Sequence, residues 1–122
     1  MADTTPTNDL AAREPIVELH AILGSKLVAY LAGTRSTNTI RRWTTGTTAL
    51  PGHAVLARFQ VALDAAHLIT ARNTPVATQA WFQGRNPALD DQPPIELLRM
   101  ANLNRGCDTI LAAAIEFATH SC

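Results

Sequence analysis

Apolar residues recur along this chain at helical spacing, and glycine and proline cut the pattern into short blocks. Residues 1–13 carry too little apolar content to bury and predict a disordered tail. A helix is expected to start near Pro15, with Ile16, Leu19, Ile22 and Leu23 on one face and Gly24 at its end. Ser25 is placed to cap a second short helix carrying Leu27, Val28 and Leu31, which Gly33 stops. After a turn at Thr34 to Ser36, a third short helix runs to about Thr45, burying Ile40 and Trp43 and closing at Gly46.

Pro51-Gly52 breaks the following loop, and the longest periodic stretch runs from His53 to about Arg72. Its stripe is Val55, Phe59, Ala62, Ala66 and Ile69, widened by Leu56 and Leu63. Thr74-Pro75 caps and starts a helix that reaches Trp81-Phe82 and stops at Gly84. Residues 86–94 read as an irregular, turn-rich link. Ile95, Leu97, Leu98 and Met100 then mark a short helix, and Cys107, Ile110, Leu111, Ala114 and Phe117 a last one that fades near His120. The fold class expected is all-α, a compact multi-helix domain.

Composition agrees with that expectation. Aromatic residues are 5% of the 122, and Ala and Leu dominate, which favours helix over sheet. No apolar run approaches the roughly 20 residues a membrane-spanning helix needs. The N-terminal residues lack the basic and apolar blocks of a secretory signal, so a cytoplasmic protein is expected. Cys107 and Cys122 are expected as free thiols. His20, His53, His67 and His120 are scattered, and no pair has the helical spacing of metal ligands. No metal, cofactor or catalytic constellation is expected: phosphate-loop, dinucleotide, zinc-protease and serine-hydrolase motifs are all missing.

Charge changes the picture. Net charge is zero, yet no acidic residue lies between Glu18 and Asp64, where Lys26, Arg35, Arg41, Arg42 and Arg58 fall. From Asn86 onward Asp90, Asp91, Glu96, Asp108 and Glu116 outnumber Arg99 and Arg105. A basic front half and an acidic back half predict two surfaces with different partners.

Within the basic half, Lys26 to Gly46 has helix-turn-helix arithmetic. Its second helix offers Thr37, Asn38 and Arg41 to base edges. Lys26, Arg35, Ser36 and Arg42, with the hydroxyls of Thr44, Thr45, Thr47 and Thr48, are suited to flanking phosphates. An ordinary helical hairpin with solvated arginines is the alternative. Within the acidic half, WFQGRNPALDDQPPIELL (81–98) is a proline-framed, aromatic-flanked segment, rigid and therefore cheap to immobilise in an interface. Its residues Trp81, Asn86, Pro87, Leu89, Asp90 and Asp91 are expected at a protein-binding edge, with Leu89 exposed; a structural corner with Trp81 and Leu89 buried is the alternative.

Two motifs, IRRWTTG (40–46) and the Trp-Phe-x-Gly-x-Asn-Pro-x-Leu…Pro-x-x-Leu-Leu of residues 81–98, resemble the Xre-MbcA-ParS family of antitoxins. The second is the more specific, matching through Asn86, Pro87, Leu89, Pro94, Leu97 and Leu98. The resemblance covers roughly residues 14–119. It departs at Asp90-Asp91, where the family carries glycines; a turn with positive φ there accepts Asp less readily than Gly.

The resemblance implies an Xre-like helix-turn-helix region over 14–50 and a helical toxin-binding region over 51–122. It implies a RES-domain, NAD-consuming toxin as partner, its active site covered in a hetero-oligomer, and operator DNA bound in autoregulation. Competing readings are a stand-alone helix-turn-helix regulator, for example of phage origin, and a homo-oligomeric scaffold.

Overall fold

The computed structural model describes the backbone of residues 4–46, 50–100 and 103–120, and side chains within 13–46, 50–99 and 109–119. Among them the chain forms seven α-helices and no strand: α1 (Thr4–Leu23), α2 (Ser25–Ala32), α3 (Thr37–Thr45), α4 (His53–Thr70), α5 (Pro75–Gln83), α6 (Pro94–Met100) and α7 (Leu103–His120). A single 3-10 turn, Pro87–Leu89, sits between α5 and α6.

Punctuation by glycine explains the first half. Gly33 and Gly46 end α2 and α3 in the left-handed conformation, at φ 80° and 77°, and their N–H groups close onto the preceding turn. Thr74 caps α5, its hydroxyl oxygen accepting from Ala77 N–H at 3.1 Å, with Pro75 in the first turn.

Two expectations are corrected. The tail expected over residues 1–13 is helical from Thr4, and Pro15 lies inside α1 rather than at its start. Proline forfeits one backbone hydrogen bond there, but the Leu10-Ala11-Ala12-Arg13-Glu14 run before it favours helix strongly enough to continue. Ser25 is also not a cap. It is the first residue of α2, and its hydroxyl pairs with His20 Nε2 at 2.7 Å instead.

α4 organises the core. It packs most extensively on α7 and also on α1 and α2. Its predicted stripe is joined by buried Val61 and Ala65, which lie off that stripe because α4 has neighbours on more than one side. One continuous apolar cluster runs from Ile16 and Leu19 through Phe59 and Ile69 to Leu98 and Ile110. Residues before and after position 50 therefore share a single core. Trp43 is part of it, meeting Phe59 edge to face at 6.2 Å.

Candidate functional site

The front-half site is a helix face. In α3, Ile40 and Trp43 are buried, while Thr37, Asn38, Arg41, Arg42 and Thr45 are exposed together on the opposite side. Lys26, Arg35 and Ser36 are exposed nearby, on α2 and the connection that joins it to α3. Arg41 donates to Asn38 Oδ1 at 2.7 Å, so two of the three expected base readers are paired with each other along the helix. The hydroxyls of Thr44 and Thr45 donate to the Arg41 carbonyl, at 2.8 and 3.0 Å. In these rotamers neither hydroxyl has a proton left to give a phosphate. Thr47 and Thr48 lie outside the described residues.

Two basic residues serve the frame rather than the surface. Arg58, counted in the basic half, reaches back from α4 and donates to the Leu31 carbonyl at the end of α2. Arg13, from α1, lays its guanidinium against Gly46 at the end of α3. Both cations sit where a helix C-terminus carries partial negative charge. Neither role is written in the local sequence, because each pairs residues far apart in the chain.

The back-half site is a groove of about 620 Å³. From α5 it takes Ala77, Ala80 and Trp81. The loop beyond adds Gly84, Arg85, Asn86, Pro87 and Ala88, and α7 supplies Ala113, Glu116 and Phe117 as the facing wall. Trp81 meets Phe82 edge to face at 5.0 Å and lies 6.4 Å from the Phe117 ring, so aromatic rings close the bottom. Trp81 is itself only 8% exposed and supports the groove from below.

The loop's geometry follows from Asn86. Its side-chain oxygen accepts from Ala88 N–H at 2.9 Å, and its carbonyl accepts from both Leu89 and Asp91 N–H at 2.9 Å. Pro87 supplies the fixed φ of the first turn position. To return the chain to its bridge with Gln92, Asp90 and Asp91 both turn left-handed, at φ 58° and 62°. Asp side chains tolerate that region better than most, but less well than glycine.

Of the residues expected at the protein-binding edge, Trp81, Asn86 and Pro87 therefore line one groove, while Asp90 and Asp91 are exposed beside it. Leu89 is a correction. At 4% exposure it is buried with the core cluster, because the 3-10 turn packs on α7 and points this one apolar residue of the loop inward. The alanines and Phe117 of the groove carry no chemical signature in sequence; only the apposition of residues 77–88 with 113–117 gives them a role. Among the described residues no three His, Cys, Asp or Glu converge as metal ligands, and no helix is long and apolar enough to cross a membrane. No family model matches this chain, and no curated protein or solved structure matches it.

Proposed function

We propose that this chain is the antitoxin of a type II toxin–antitoxin pair. It neutralises a RES-domain, NAD-consuming toxin in the cytoplasm by covering the toxin's active-site entrance, and it performs no catalysis of its own. The observation that carries the reading is the paired left-handed backbone at Asp90 and Asp91. Those are the two positions of the Asn-Pro-x-Leu segment where the resembling family carries glycine, the residue such a backbone favours. A backbone left-handed at both positions is one that glycine would favour, and this supports the resemblance. The groove beside that segment provides an apolar seat for partner anchors.

The test is growth rescue on co-expression with a RES-domain toxin. Wild type is expected to restore growth. An Ala88→Arg variant puts a charged side chain at an exposed groove position and should stay folded, yet lose rescue. Full rescue by that folded variant would move the interface off the groove.

A second activity, operator binding through α2 and α3 as a helix-turn-helix, is favoured by the shared exposure of Thr37, Asn38, Arg41 and Arg42 on one helix face. Changing Arg41 and Arg42 to Ala should weaken binding to operator DNA and flatten the log–log salt dependence by up to about two units. A double variant with unchanged affinity and slope would remove α3 from the interface. Operator binding without any toxin rescue would favour the stand-alone regulator.

A further inference from the structure

We infer that Asn38 and Arg41 act as one unit on the outer face of α3, and that the base this unit reads in the DNA major groove is guanine. The inference rests on the helix-turn-helix reading of α2 and α3 and names what that face recognises. Arg41 Nη2 donates to Asn38 Oδ1 at 2.7 Å, between two exposed side chains three residues apart. Arginine has no acceptor, so the Asn38 atom that meets it is the oxygen, and both protons of the Asn38 amide stay available. Neither side chain makes another hydrogen bond among the described residues.

That pairing changes what Asn38 offers. An asparagine reads adenine by accepting from the N6 amine while donating to N7, which uses its oxygen and its nitrogen together. Here the oxygen already carries a cation. Its second lone pair is still present, but an adenine amine brought to it meets guanidinium N–H groups, donor against donor. Guanine has the same N7 and, in place of the amine, the O6 acceptor. Thymine presents one acceptor on this edge and guanine two. The unpaired guanidinium protons and the Asn38 amide are all donors, so the unit fits guanine and opposes the 6-amino group of adenine. Asn38 is thereby a positioning residue, holding the guanidinium fork in place before any base arrives.

The surroundings have the sign that a phosphate backbone requires. Buried Ile40 and Trp43 fix the rotation of α3 and so set Asn38 and Arg41 outward. Lys26, Arg35 and Arg42 are exposed on α2, the connection and α3, and no carboxylate occurs from residue 19 to 63. α3 packs chiefly on α1 and α2. The acids with described side chains on those helices are Glu14 and Glu18, both on α1, and Glu18 is paired with His67 of α4 at 3.1 Å. Cations therefore outnumber carboxylates around this face.

The experiment lets the full chain and its Asn38→Ala and Arg41→Ala variants each select, at low salt, from a pool of DNA duplexes randomised at their centre, with the bound fraction sequenced. Both positions are exposed, so both variants should melt with wild type. The unmodified chain is expected to enrich a site with a fixed guanine. Arg41→Ala should lose that guanine and, by releasing Oδ1, admit adenine in its place. Asn38→Ala should retain the guanine but discriminate it from adenine about tenfold less. Placing 7-deazaguanine at the selected position, which removes the N7 acceptor, should weaken the unmodified chain by about tenfold and Arg41→Ala hardly at all. An adenine enriched by the unmodified chain and lost in Asn38→Ala overturns the proposal, because Asn38 would then read on its own. So does a guanine that persists in Arg41→Ala, an Asn38→Ala variant that loses affinity for all sequences alike, or binding with no base preference. Those results leave α2 and α3 as a DNA-binding surface. No binding to any duplex removes the helix-turn-helix reading and the guanine assignment with it.

Discussion

Leu89→Arg is expected to unfold the protein or come close to it. The side chain is 4% exposed, and it belongs to the apolar cluster where the 3-10 turn meets α7. Removing the leucine forfeits about 1.5–3 kcal/mol of burial, and a guanidinium in its place costs several kcal/mol more unless the loop opens to hydrate it. Against a typical total of roughly 5–15 kcal/mol, the loss is most of the stability of a small domain. Opening the loop is the cheaper escape, and it would break the Asn86 hydrogen bonds that hold Asp90 and Asp91 left-handed.

Circular dichroism melting should therefore show a large fall in Tm. Ala88→Arg, one residue earlier but exposed, should melt close to wild type. The pair separates two causes of failed rescue: loss of fold at 89 and obstruction of the groove at 88. A Leu89→Arg variant melting with wild type would mean that the loop does not pack on α7 as described.

Gly46→Ala should cost about 1–2 kcal/mol from backbone strain alone, because an L side chain enters the left-handed region at φ 77°. A second effect adds to it. A Cβ at this position would stand 2.9–3.1 Å from the Arg13 guanidinium atoms, so Arg13 must withdraw. Its Nε is already buried without a hydrogen-bond partner, which leaves it little local compensation for a poorer position. Gly33→Ala is the internal control: φ is 80°, and no atom lies within 4 Å of the added carbon. Both variants should lower Tm, and Gly46→Ala should lower it further. The difference between them measures what the Arg13 contact contributes to holding α1 on the end of α3. Equal losses would mean that Arg13 moves away freely and has no part in fixing that helix end.

Local signals in the sequence determined the helices themselves. Glycines at 24, 33 and 46, the Thr74-Pro75 cap, and the apolar spacing from Phe59 to Ile69 each act within one or two turns, which is the range over which side-chain periodicity and capping operate. The Asn86-Pro87 turn was legible for the same reason: the Asn side chain bonds its own backbone two residues on. Tertiary structure decided the rest. Leu89 looks solvent-facing in its polar surroundings, and only packing on α7 buries it. Arg58 looks like surface charge until its partner, the Leu31 carbonyl, is brought within reach across the fold. The extension of α1 through Pro15 to Thr4 was hidden because a proline in a helix interior reads locally as a boundary. The groove is the fullest case. Alanine carries no chemistry of its own, so Ala77, Ala80 and Ala113 become the walls of a groove only because α5 and α7 stand facing each other over Trp81 and Phe117. That arrangement depends on free energy gained by residues distant in sequence burying one shared core, a term that no local window contains.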